Sequence, residues 1–200
     1  MKKKLLVILI AILCITVYSI LGVLACTEFF SGSWPSANPL HVHVDSSASA
    51  FTQAINPFCW NYKTSKVFFP SVHVGGTTCS SCKVFIKYGF LPYENVIAIT
   101  QNYTSKTKID SWMSGSWVKS VISINSRQVM LSPTTSFEFG SASNFLRQLV
   151  IVHELGHTLG LKHQILYCPE SSIMWRNPIN SSFNTPRPHD ANTLVTKYGP

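Results

Sequence analysis

Short runs in which apolar and polar residues alternate dominate the first two-thirds of the chain, and apolar residues at intervals of three and four take over further on. The alternation from Leu40 to Val44 predicts a short strand, with Trp34 and Pro35 upstream. Ala50, Phe51, Ala54, Ile55 and Phe58 recur at helical spacing, predicting a helix within 48–62 that Pro57 must kink or end early. Residues 67–74 and 84–88 read as strands, separated by Gly75-Gly76 and by a Cys79-Ser80-Ser81-Cys82 knuckle. Residues 96–100 and 118–124 read as two more. Phe145, Leu146, Leu149, Val152 and Leu159 then form the apolar stripe of a core helix, and Ala191, Leu194, Val195 and Tyr198 mark a second amphipathic segment over 190–198. Five strands and one helix precede the Phe145–Leu159 helix, an α/β (α+β) order. No internal repeat, heptad run or low-complexity tract is evident.

Residues 1–25 stand outside this pattern. Lys2, Lys3 and Lys4 precede an uncharged run from Leu5 to Cys26, which reads as an export or anchoring segment with its lysines left on the cytoplasmic side. The run exceeds the roughly 7–15 residues of a signal core and is about long enough to cross a bilayer. Three fates stay open. Cleavage after Val23-Leu24-Ala25 releases a secreted protein; the same residues with Cys26 form a loose bacterial lipobox, ill matched at Leu24, for a lipid anchor; an uncleaved helix tethers an ectodomain. Each places residues 26–200, a single domain of ordinary size, at the cell surface or in the extracellular space.

Charge excludes one class of partner. Without Lys2–Lys4 the 16 basic residues become 13 against 8 acidic ones, a formal charge of +5. The basic residues are scattered among Ser, Thr and Asn with no basic and aromatic cluster, so a solvated basic surface is expected and nucleic acid is not. Membrane contact is expected only through the N-terminal segment. Asn102-Tyr103-Thr104 and Asn180-Ser181-Ser182 are N-glycosylation sequons consistent with export, and short enough to arise by chance.

The chemistry concentrates at residues 153–163, His-Glu-Leu-Gly-His-Thr-Leu-Gly-Leu-Lys-His. His153 and His157 are four apart, so on a helix both project from one face and can reach one metal ion. Glu154 cannot share their line but can stand beside the metal and hydrogen-bond its water, which suits a general base better than a ligand. Gly160 permits the left-handed turn needed to bring His163 back as the third imidazole. Three neutral histidines leave a fourth tetrahedral position open, as in a catalytic zinc site. A histidine on an apolar helix face is more often a packing residue; three at ligand spacing are a different matter. A lone methionine such as Met174 would ordinarily be gap-filling core.

The H-E-x-x-H-x-x-G-x-x-H string, with Ser171-Ser172-Ile173-Met174 following His163, resembles the metzincin zinc peptidases. The resemblance covers roughly residues 34–199. Within the group, Trp34-Pro35 and the ending at 190–199 look most like the matrixins. It implies a twisted five-stranded mixed sheet, two long helices, a zinc cleft and a C-terminal helix, with Met174 in a tight turn beneath the metal. It implies one catalytic zinc held by His153, His157 and His163, with Glu154 as base. A structural Ca2+ is left open, since nothing in the sequence specifies it. One edge strand within 94–125 is expected to pair with an extended polypeptide substrate, in a monomer, and Trp175, Pro178 and Ile179 to wall the main specificity pocket.

Departures qualify the likeness. Gln164 follows the third histidine in place of the matrixin serine or the acidic residue of astacin-like and adamalysin-like members. Arg176 stands where astacins and serralysins carry a tyrosine that approaches the metal. The later C-x-x-C of archaemetzincins is missing, and residues 26–33 leave no room for a matrixin propeptide. Of the cysteines, Cys59, Cys79, Cys82 and Cys168 lie in the folded part; an exported domain favours two disulfides among them, with the pairing open, over a structural zinc at the knuckle. The function expected is a secreted or surface-tethered zinc endopeptidase. The alternatives are a non-catalytic zinc-binding surface module, against which Glu154 argues, and a zinc hydrolase of cell-wall peptides, which substrate assays separate.

Overall fold

The alternating runs form one sheet. In the computed structural model, which describes residues 28–35, 39–63, 68–76, 79–164, 172–176, 179 and 181–199, strands β1 (His41–Val44), β2 (Val72–Val74), β3 (Cys82–Gly89), β4 (Ala98–Tyr103) and β5 (Lys119–Asn125) lie in the order β2-β1-β3-β5-β4. The first four of these neighbours run parallel and β4 runs antiparallel to β5, so the sheet is mixed and β4 is an edge. Val42, Val44, Val84, Ile86, Ile122 and Ile124 are fully buried in its central strands, the burial that parallel strands covered by helices require.

Two features differ from the pattern's expectations. The helix expected over 48–62 is two 3-10 segments, η1 (Ser46–Ala54) and η2 (Pro57–Lys63). Pro57 lacks an N–H and disfavours helical backbone in the residue before it, which separates the two. Side chains around η1 compete for its backbone groups: Asp45, at the N-cap, accepts from Ser47 N and Ser49 Oγ donates to Ser46 O. A hairpin, β6 (Val129–Ser132) and β7 (Thr135–Phe137), also adds two strands that the sequence pattern did not predict. Its apolar stretch is too short to show a period.

Helix α1 (Asn144–Thr158) begins at Ser143, whose side chain accepts from Leu146 N. It packs on β4, β5 and both 3-10 segments. Leu149, Ile151, Val152, Leu155 and Leu159 are fully buried, whereas Phe145, expected in the stripe, is 39 % exposed in the first turn. Helix α2 (Pro188–Tyr198) starts with Pro188 at its first position and Asp190 accepting from Arg187 N at 2.7 Å. Among the described residues no helix is long and apolar enough to cross a membrane; the segment 1–25 lies outside them.

The cysteines correct one expectation. Cys79 and Cys82 are joined in a disulfide. Cys59, expected in a bridge, is a buried thiol whose Sγ donates to Asn56 O at 3.0 Å, and burial pushes its pKa up to about 12. Facing the core on η2, it is reached by neither partner in the knuckle. Cys168 lies outside the described residues.

Candidate metal centre

Helix α1 carries His153 and His157 one turn apart, and the chain then leaves the helix at Leu159 and Gly160. Gly160 has φ +87°, the left-handed conformation, and a Cβ there would come within 2.7 Å of Lys197 Cε. This reversal brings back His163. Its Nε2 lies 3.1 Å from Nε2 of His153 and 3.1 Å from Nε2 of His157.

The tautomers follow from the other ring nitrogens. His153 Nδ1 donates to Ile173 O and His157 Nδ1 to Leu161 O, each at 2.8 Å. A carbonyl only accepts, so both protons sit on Nδ1 and both Nε2 atoms present bare lone pairs to the same point. A tetrahedral ion about 2.0–2.1 Å from each nitrogen needs them about 3.3–3.4 Å apart. The observed separations fit within a few tenths of an ångström. Burial, then the neighbouring His157 charge, holds the His153 pKa well below its usual value, and burial lowers that of His157 to about 4 against the opposing bond to Leu161. His163, at the exposed mouth, is also lowered by desolvation and by His157 and Arg176. All three are neutral, and so able to ligate, at neutral pH.

Glu154 borders the same cleft as the imidazoles. Its carboxyl is buried, and burial raises its pKa to about 7 against the pull of the Thr100 hydroxyl, 2.6 Å from Oε2. Thr100 and Asn102 alternate along one face of β4. Asn102 Nδ2 donates to His157 O at 3.2 Å and its Oδ1 accepts from Ser120 Oγ at 2.7 Å. Asn102 is fully buried, so the expected sequon there cannot carry a glycan in the folded protein; Asn180 lies outside the described residues.

Met174 is fully buried and packs against α1 at Gly156, where an added Cβ would stand 2.2 Å from its Sδ. The turn is tied to α2 by Asp190, which accepts from Ser172 Oγ and, at 3.1 Å, from Ile173 N. Gln164 N donates to Met174 O at 2.8 Å, so the turn and the His163 segment are one unit. Gly156, Thr100 and Asp190 were not singled out by the sequence, and Asn102 only as a sequon; contacts across 18 to 55 residues reveal their part in the site.

A cleft of ≈ 1160 Å³ opens over the imidazoles, bounded by residues 95–98 before and at the start of β4, by Met130–Pro133 of the hairpin, and by Trp175 and Arg176. Trp175, expected to wall the specificity pocket, borders this cleft. Ile179 packs against the core instead, and Pro178 is outside the described residues. No family model matches the chain, and no curated protein matches it.

Proposed function

We propose that the chain is a metzincin-type zinc endopeptidase, most like the matrixins, acting outside the cytoplasm on extended polypeptide. The observation that carries this reading is the convergence of two bare Nε2 lone pairs and the His163 ring beside a buried carboxyl. His153, His157 and His163 would hold a zinc ion, which would supply the Lewis acidity needed to activate a water and polarise a scissile carbonyl. Glu154 accepts the proton of the attacking water on its carboxylate and delivers it to the leaving amine. Thr100 holds the carboxyl in place from β4. The edge position of β4 supports substrate addition as a further strand, with backbone hydrogen bonds for affinity and the cleft for side-chain choice.

The test is zinc analysis of the purified chain with cleavage mapping in a mixed peptide library, repeated for two variants. Glu154→Gln keeps about one zinc at the histidines and loses about 10²–10⁴-fold in activity. His163→Ala loses zinc and activity together. Full zinc with no peptide cleaved would instead support the non-catalytic module, and cleavage confined to peptidoglycan fragments the cell-wall hydrolase.

A further inference from the structure

A second cluster of metal-ligating side chains lies at the opposite edge of the sheet from β4. His73 of β2, Cys79 and Cys82 place one ring nitrogen and two sulfurs within 4.8 Å of one another. The sheet assembles them: β2 is the edge strand beside β1, and Cys82 begins β3 opposite His41 of β1. The cluster reaches from the surface inward, with His73 exposed, Cys79 half-exposed and Cys82 buried. His73 is already oriented: its Nε2 lies 3.1 Å from Ser71 Oγ, and that hydroxyl is 2.6 Å from His41 Nδ1. A histidine ligand is characteristically held by such a bond at its second nitrogen, leaving the first for the metal.

We propose that this cluster is a second, redox-controlled metal site, which takes a zinc-class divalent ion through Cys79, Cys82 and His73 when the disulfide is open and none when it is closed. Two thiolates and an imidazole are a donor set suited to zinc, with solvent completing the tetrahedron. Opening the bridge costs the fold little, because the loop it closes, with a sequence separation of 3, is short and so constrains the unfolded chain little. The steps balance. A dithiol reductant gives two electrons and two protons to the S–S bond and becomes a disulfide; the entering ion then displaces the two thiol protons to solvent as two metal–sulfur bonds and one metal–nitrogen bond form.

Cobalt distinguishes this site from the three-histidine cluster, since only sulfur ligands give a thiolate-to-cobalt charge-transfer band in the near ultraviolet. The full chain, reduced with a phosphine that water converts to its oxide and then titrated anaerobically with Co2+, develops that band; the oxidised chain does not, and Zn2+ abolishes it. The double variant Cys79→Ser/Cys82→Ser removes the band, and His153→Ala keeps it. His73→Gln, an exposed change that leaves the disulfide able to form, weakens cobalt binding at the band by at least about tenfold, and Ser71→Ala by on the order of tenfold. A reduced protein without the band, a band that survives the double serine variant, or unchanged affinity in His73→Gln overturns the proposal.

Discussion

Glu154 and the histidines beside it titrate in opposite directions, and that opposition is measurable in the metal-free protein. Burial raises the folded pKa of Glu154 from 4.5 to about 7. Between those values the folded chain keeps a proton the unfolded chain has lost, so the contribution of this group is complete below about pH 4.5 and is lost as pH rises through 7. His157, lowered from 6.5 to about 4, contributes fully above about pH 6.5 and loses it as pH falls through 4, and His153 moves the same way. Glu154→Gln removes only the alkaline loss. The metal-free variant should exceed the wild type in stability above pH 7, by about 3 kcal/mol at most, and the gap should close below pH 5. Urea unfolding across pH checks this, and a gap independent of pH would exclude a buried ionised carboxylate as its source. Gly156 offers a steric test at the same scale. Gly156→Ala should cost about 1–3 kcal/mol by overpacking against Met174 Sδ, and markedly less in a Met174→Ala background, since the two side chains compete for one space. Thermal melts of the four-protein cycle decide it.

At the scale of elements, the methionine turn depends on a helix that follows it. Asp190, buried in the first turn of α2, accepts from Ser172 Oγ, Ile173 N and Arg187 N. Ile173 O in turn receives His153 Nδ1. Asp190→Ala should therefore destabilise the fold by about 3 kcal/mol or more, by orphaning buried donors. It should also weaken metal affinity by about 10–100-fold through the displaced histidine partner. Denaturation and competition with a chelator of known affinity measure the two effects; metal affinity left intact would show that the turn holds its place without α2. The strands were legible because alternation is a local property of the chain. The 48–62 segment was not, because its apolar spacing fits a helix while Pro57 and the clustered serines favour the tighter 3-10 turns that formed.

At the scale of the whole molecule, the cysteines separate by environment. Cys59 lies in the core with a pKa pushed to about 12, whereas Cys79, joined to the buried Cys82, is half-exposed at the sheet's end. An alkylating reagent should leave Cys59 of the native protein unmodified except at the rate of global unfolding, and should label the half-exposed Cys79 soon after reduction. Peptide mass analysis after timed quenching reads both rates. Labelling of Cys59 as fast as Cys79 would contradict its burial. Counting cysteines could not assign these environments, because pairing depends on which residues the fold brings together.

What the chain's order alone determined is local. Spacing of four set His153 and His157 on one helix face, Gly160 provided the reversal toward His163, and period-two alternation marked the five strands of the sheet, all through interactions within a few residues. What the tertiary structure decided is every partner across distance: Ile173 O and Leu161 O fixing the imidazole protons, Thr100 against Glu154, Asp190 beneath the methionine turn, and His73 beside Cys79 and Cys82. Those contacts join segments that hydrophobic burial packs together, and nothing in their local sequence encodes which of many polar residues will meet.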